Sequence, residues 1–320
     1  MPREWVRAAE YKLMASRTAV VTGAFSFTGR FIARELIARG WSVRTLTNSR
    51  YPGDPLANEV DPHPLDFSQP EALVECMRGA DLFVNTYWIR YPHAGMTFAS
   101  AVDNTHVLLD AATRAQVGGV VHIGVVGAAA DSPHPYLAWK WRADEVVRAS
   151  GLPHAIVQPT LIFGDGDVLI TNHAWLLRRL PVFLVASDGA YEVQPVAGED
   201  VARVTADLAE GPLEGNIVNV GGSERLTYLG FVQLIRDAIG SRSRIVCLPG
   251  PVVMSTAWML GKVIGDTIVT NDEMAALRAG TLASPDAPLG TLRLGDWLCE
   301  HVETVGRRYV RRQTRHGAAR

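Results

Sequence analysis

Two rhythms of apolar and polar residues alternate along the first half of the chain. TAVVTGA is a run of small and β-branched apolar residues, as in a buried strand. TGRFIARELIARG spaces its apolar residues by three and four, as an amphipathic helix does, and SVRTLTN returns to the strand pattern. Gly40 suits the end of that helix. HPLDF follows as a short strand with an acid at its carboxyl end, then SQPEALVECMRGA as a helix with Ser68 as N-cap and Pro70 in the first turn. ADLFVNTYW (strand), FASAVDNTHVLLDAATRAQ (helix), GVVHIGVVGA (strand), PYLAWKWRADEVVRASG (helix) and PHAIVQPTLIFG (strand) continue the alternation. At least six strands separated by helices, joined by right-handed crossovers, predict an α/β fold with an open, doubly wound parallel sheet. Its ligand crevice lies at the carboxyl ends of the strands.

After residue 164 the rhythm loosens into FGDGDVLITNHAWLLRRLP and ASDGAYEVQPVAGEDVARVTADLAE, which mix loops with shorter elements. A strand (GNIVNVGG), a helix (TYLGFVQLIRDAIG), an apolar stretch and a closing helix near LGDWLCEHVETVGRRYV complete the chain. The pattern divides it into an N-terminal extension (1–16), a dinucleotide-binding Rossmann domain (17–168), a smaller, less regular C-terminal lobe covering the crevice (169–306) and a basic tail (307–320). Some elements of the lobe are free to return to the main sheet.

Composition narrows the function classes. The 320 residues, 48% hydrophobic and 20% charged, are ordinary for a globular protein, and a net charge of −2 supplies no global attraction to nucleic acid or anionic membrane. Cys76, Cys247 and Cys299 lack metal-ligand spacing and are expected to be buried free thiols in a reducing compartment. With no secretory signal pattern, a cytoplasmic location is expected. CLPGPVVMSTAWMLG (247–261) is too short to span a bilayer and is expected to be a buried or groove-lining helix. No motif for phosphoryl transfer, serine hydrolysis or nucleic-acid reading is present, and no histidine spacing suits a metal. His122, in an apolar strand, reads as a core residue, and Asp165-Gly166-Asp167 as a turn.

The chemistry begins at Thr22-Gly23-Ala24-Phe25-Ser26-Phe27-Thr28-Gly29, a strand-to-helix turn with serine between two outer glycines. Glycine lets the backbone approach a ligand, and the helix start presents its N–H groups and positive dipole end to a pyrophosphate. Ser26 weakens such binding if its position demands a positive φ. The second strand ends without an acid; Asn48, Ser49 and Arg50 stand there, with Arg30 at the start of the helix, and these favour NADP over NAD. Asp66-Phe67 either bracket the adenine or cap the following helix. PYLAWK places Tyr136 and Lys140 four apart on one helix face, where an ammonium beside a phenol favours acid/base work. Thr86, Tyr87, Trp88 and Tyr91 follow the fourth strand where a substrate pocket opens, and the aromatic rings there serve either inter-lobe packing or ligand stacking. Gln194 is a further candidate substrate contact.

VTGAFSFTGR, PLDF, DNTHVLLDAA, VVHIGVVGA, PYLAWK, VQPTLIFGDGD, QPVAGEDVA and NIVNVGGSERLTY together resemble the short-chain dehydrogenase/reductase superfamily over roughly residues 18 to 250. The resemblance is to its extended or atypical branch, which includes nucleotide-sugar epimerases and the NAD(P)-binding subunit of respiratory complex I. It implies Gly23, Ser26 and Gly29 at pyrophosphate, Asp66 near adenine, and Tyr136 with Lys140 as the catalytic pair. It also implies Asn104 as the helical asparagine, and Pro159 and Thr160 bordering the nicotinamide. The chain departs from the pattern at Gly124, where the resemblance implies a hydroxyl holding the substrate oxygen; Ser132, Thr86 and Thr160 are the candidate replacements. Three readings follow. One is an NAD(P)-dependent oxidoreductase or epimerase on a small carbonyl or alcohol, with a hydrophobic substrate compatible with the apolar stretch. The others are a cofactor-binding structural or sensor protein, and a non-redox lyase or isomerase. The sequence leaves room for a homodimer.

Overall fold

The computed structural model describes residues 17–49, 53–92 and 95–311. The N-terminal extension, Arg50 and residues 312–320 of the basic tail lie outside the described residues. Seven parallel strands form the main sheet: β1 (Thr18–Thr22), β2 (Ser42–Leu46), β3 (Val60–His63), β4 (Leu82–Asn85), β5 (Val120–Ile123), β6 (His154–Pro159) and β11 (Glu214–Val220). Their spatial order is β11-β6-β5-β4-β1-β2-β3, so the order reverses between β1 and β4. Crevices open at such reversals.

Burial on both faces explains why the strands read as continuous apolar runs. On one face, Phe31, Ile32 and Leu36 of α1 (Phe27–Ala38) join Val201, Ala202 and Val204 of α6 (Gly198–Glu210) in a core with β1. The opposite core joins α2 (Pro70–Met77), α3 (Phe98–Arg114) and α4 (Pro135–Ala149) through Leu73, Met77, Leu108, Leu109 and Val147.

The third strand ends earlier than HPLDF suggests. Its last ladder bond is Thr47 N–H to His63 O at 2.8 Å. Beyond it the Asn48 amide takes over the pairing, donating to Leu65 O at 2.7 Å and accepting from Leu65 N at 3.1 Å. Ser68 is not the N-cap of α2: Gln69 holds that position, and Ser68 donates its hydroxyl to Asp66 at 2.7 Å. PHAIVQPTLIFG divides at Thr160, where β7 (Leu161–Phe163) leaves the main sheet to pair with β10 (Pro195–Ala197). Residues past 169 do return to the main sheet, as α6 and β11.

The C-terminal lobe is built on a parallel pair, β8 (Val182–Ala186) with β13 (Arg244–Leu248), and an antiparallel pair, β9 (Glu192–Val193) with β12 (Leu226–Thr227). Phe163, Phe183 and Phe231 centre its core between α5 (Leu169–Arg179), α7 (Tyr228–Ala238) and α10 (Leu294–Glu300). Asp165 and Asp167 form a helix-leading turn, with Asp167 accepting from Leu169 N at 3.1 Å and Ile170 N at 2.5 Å. Two buried side chains bind the late chain back to earlier elements. Gln194 donates to Gly222 O at 2.7 Å and accepts from Ser284 N at 2.8 Å. Asp200 accepts from Thr291 N at 2.8 Å and Leu292 N at 3.0 Å.

The expectation that all three cysteines are buried fails. Cys76 is buried, but Cys247 and Cys299 are exposed. The apolar stretch takes the groove-lining alternative rather than the buried one. It enters α8 (Gly250–Ile264), of which only Val253 and Gly261 are buried, and the helix lines an open groove of about 930 Å³ with residues 265–271. A short helix α9 (Asn271–Arg278) follows. Among the described residues no helix is long and apolar enough to cross a membrane, and no cluster of His, Cys, Asp and Glu suits a metal ion.

Candidate active site

The turn after β1 is pinned to β2 by backbone and hydroxyl bonds. Gly23 N donates to Leu46 O at 2.8 Å, and Ala24 N to Thr45 Oγ1 at 2.9 Å. Gly23 takes φ +64°, the left-handed region glycine tolerates. Gly29 packs so closely that a Cβ there would lie 2.2 Å from Gly23 O. Ser26, by contrast, has φ −74° and is exposed; it N-caps α1, its Oγ accepting from Gly29 N at 3.2 Å. A serine is therefore unstrained where a third glycine was expected. Phe25 is buried in the core, and Phe27 packs edge-on against Phe31 with ring centres 5.7 Å apart, so both rings serve the core. No acid stands in the first turn of α1. A backbone-lined turn at an uncompensated positive helix end fits a pyrophosphate, with Thr22 buried behind it and Thr28 half-buried beside it.

At the start of α1, Arg30 pairs with Asp54 at 2.9 Å, and its Nε is buried with no hydrogen-bond partner. Nothing in the sequence singled out Asp54, which also caps the following 3-10 turn through Leu56 N at 3.1 Å. Asn48 is engaged with the Leu65 backbone as described. Asp66 is exposed three residues past β3, and the Ser68 hydroxyl and amide hold its carboxyl below the usual range. Phe67 packs edge-on to Tyr87 at 5.0 Å.

The residues that the sequence singles out for catalysis gather on α4, α3 and the loop after β4. Trp88 stacks on Phe98 with ring centres 6.0 Å apart, and both meet Tyr136 edge-on, at 6.5 and 5.9 Å. This packing lies within the Rossmann half, not between lobes. The Trp88 indole N–H is buried without an acceptor. Asn104 donates to the Tyr87 hydroxyl at 2.8 Å. Lys140, on the same face of α4 as Tyr136, donates to Ile123 O at the end of β5 (2.8 Å) and lies 4.8 Å from the Trp88 ring centre. Burial brings its amine down to about 8, against the pull of Asp144. Burial pushes the Tyr136 phenol up to about 12; the charges acting on it are Arg90 and Glu273. Those two form an ion pair at 2.9 Å between the β4 loop and α9, 183 positions apart in sequence, which no local motif signals.

Behind the lysine lies a buried polar chain. Asn85 Nδ2 donates to His122 Nδ1 at 3.1 Å, leaving the His122 Nε2–H to face Asp144 Oδ1 at 3.4 Å. Burial holds this imidazole neutral, and Asp144 accepts from Gln158 at 2.7 Å. Gln158 and Asp144 fill the space beside Gly124: a Cβ there would meet them at 3.0 and 3.1 Å. Of the candidate replacement hydroxyls, Thr86 donates to Thr22 O at 2.5 Å and Thr160 to Gln194 O at 2.5 Å. Ser132 Oγ only accepts, from His134 N at 3.3 Å, among the described hydrogen bonds. Gln194 is committed at both ends of its amide, and Pro159 ends β6 in register with Val220 of β11.

The profile of the NAD(P)H-binding family matches residues 23–212. A ceramide reductase of Caulobacter vibrioides is 28% identical over 253 residues, covering 75% of this chain and 76% of the relative. The 40 kDa mitochondrial subunit of NADH-ubiquinone oxidoreductase from Neurospora crassa is 23% identical over 284 residues, covering 86% and 74%. Among solved structures, the triphenylmethane reductase of Citrobacter sp. in complex with NADP(H) superposes with a TM-score of 0.69 at 17% identity, covering 89% of this chain and 99% of its own.

Proposed function

The chain belongs to the NAD(P)H-binding family, in the extended short-chain dehydrogenase/reductase type, and from that premise we propose that it reduces the carbonyl group of an apolar small molecule, with Tyr136 as proton donor. The observation that carries this reading is geometric: Tyr136 shares one face of α4 with Lys140 and meets Trp88 and Phe98 edge-on, its hydroxyl uncommitted among the described residues. At about 12 the phenol holds its proton at neutral pH. A phenol so placed gives a proton to a developing alkoxide more readily than it takes one from an alcohol. Bound NAD(P)H supplies the hydride. The chain's own part is then to hold the cofactor pyrophosphate at Gly23, Ser26 and Gly29. Trp88 N–H or Ser132 receives the substrate oxygen that Gly124 cannot, and Tyr136 protonates it. Lys140, tied to Ile123 O, orients the nicotinamide ribose at the end of β5.

An apolar substrate is supported by the groove along α8, lined by Met254, Trp258, Ile268 and Val269. It reaches Asn271 in the first turn of α9, which also carries Glu273 of the Arg90 pair. The ceramide reductase relative, whose named substrate is a lipid, supports it too. The test is oxidation of NADPH or NADH with long-chain ketones as substrates, read at the nicotinamide absorbance. Tyr136→Phe is expected to lower kcat by about 10²–10⁴ while leaving cofactor affinity intact. Equal rates for the variant and the parent would discard the proton-donor role.

Two observations favour a second reading, a cofactor-holding protein without turnover. Lys140 is engaged away from the phenol, and no hydroxyl stands at Gly124. That reading predicts tight NAD(P)H binding and no oxidation with any carbonyl offered.

A further inference from the structure

Helix α8 carries one charged residue, Lys262, in fifteen, yet it stands largely in solvent. Val252, Met259 and Val263 recur at seven and four positions, forming one stripe, with Trp258 on its flank. Trp258 is 67% exposed, Met259 64% and Val263 84%. Such an apolar patch on a folded surface marks an interaction site. Its surroundings identify the partner. The Lys262 ammonium sits 5.4 Å from the Trp258 ring centre, a cation beside an exposed indole. Tyr309 donates to Asp266 at 3.0 Å, just past the end of α8, and packs on Trp175. That contact holds the segment bearing Arg307, Arg308 and Arg311 at the C-terminal end of the helix, Arg307 being paired with Glu303 at 2.9 Å. In a protein of net charge −2, this gathers positive charge next to the apolar stripe.

We propose that α8 and the adjoining arginine segment dock on an anionic bilayer surface, the helix lying flat with Met259 and Val263 in the acyl boundary and the cations at the headgroups. Apolar insertion and basic flanks are the two components of interfacial binding. A second copy of the chain fits less well, because a two-fold contact through α8 would bring Lys262 and the arginines of both copies together. Trp258 and Met259 also line the groove given to the substrate, but docking needs no turnover, so vesicle binding is read separately from the reaction.

The experiment is vesicle flotation with the full chain, comparing phosphatidylcholine alone with phosphatidylcholine containing phosphatidylglycerol. The expected result is binding to the anionic vesicles that weakens at high salt, and that falls about tenfold or more in the double variant M259E/V263E. Both side chains are exposed, so the variant should melt as the parent does. If it does not, the parent alone decides: brominated lipid should quench its tryptophan emission, and W258F should lose most of that quenching. Indifference to vesicle charge, or unquenched emission, overturns the proposal. So does a vesicle-free dimer that M259E/V263E converts to monomer, which would give the face to a second copy.

Discussion

Gly29→Ala tests the phosphate turn directly. The added methyl would begin 2.2 Å from Gly23 O, 2.9 Å from Gly23 C and 3.0 Å from Ser26 Oγ. Ordinary contact starts at 3.4 Å, so the start of α1 must withdraw by about 1.2 Å from the turn. The obstacle is backbone, itself fixed by Gly23 N to Leu46 O, and has no rotamer to yield. Overpacking of this kind costs about 1–3 kcal/mol, and the helix propensity gained by replacing glycine returns about 1 kcal/mol. Net destabilisation should therefore be small, a shift of a few degrees in Tm. Cofactor affinity should fall much further, about a hundredfold, because a misplacement near 1 Å removes pyrophosphate contacts made by N–H groups. Gly23→Ala is the control: its nearest neighbours are at 3.4 Å, so it meets a dihedral penalty of about 1–2 kcal/mol without a clash. Nucleotide fluorescence titration and thermal melting read both quantities. A Gly29→Ala protein that binds NADPH as tightly as the parent would refute the backbone-clamped turn.

Three other variants probe the surroundings. Lys140→Met is expected to raise Tm at pH 7. The amine titrates at about 8 when folded and 10.5 when unfolded, so below pH 8 the folded protein carries the full burial penalty, up to about 3 kcal/mol. Between 8 and 10.5 the unfolded chain binds the extra proton and the parent gains stability as pH rises, so the variant's advantage should fade across that window; parallel Tm curves would contradict this. Gly124→Ser should destabilise by about 1–3 kcal/mol in denaturant titration and add no activity, because Gln158 and Asp144 occupy the space. Asp54→Asn keeps the cap but frees Arg30, and a charge change worth about 1 kcal/mol should raise the NADPH-to-NADH affinity ratio roughly fivefold. An unchanged ratio would remove Arg30 from the ribose site.

The alternation of strand and helix, and the outer glycines of the turn, were legible because each depends on neighbours within a few residues. The doubt over Ser26 came from counting glycines; the structure puts that residue at an ordinary φ. The partners of the site residues were not legible, because they arise from folding across distance. Lys140 and Tyr136 share a helix face as their spacing requires, but the carbonyl that takes the ammonium is on β5, and Trp88 touches both. Asp66 could not be placed because β3, an edge strand containing Pro62, stops before it. The sequence left helix α8 open between buried and groove-lining, because apolar content reports how strongly a segment seeks cover, not how much the fold supplies.

The fastening of Gln194 and Asp200 to residues 284, 291 and 292 has a consequence for synthesis. As the chain leaves the ribosome, the first six strands emerge long before the peptide groups that complete these two interior side chains. The segment bearing Gln194 and Asp200 must therefore wait, incompletely satisfied, until residues 284–292 have emerged. A nascent chain with only the residues up to about 280 outside the ribosome should be cut readily by protease between β7 and α6, whereas one with residue 292 also outside should resist.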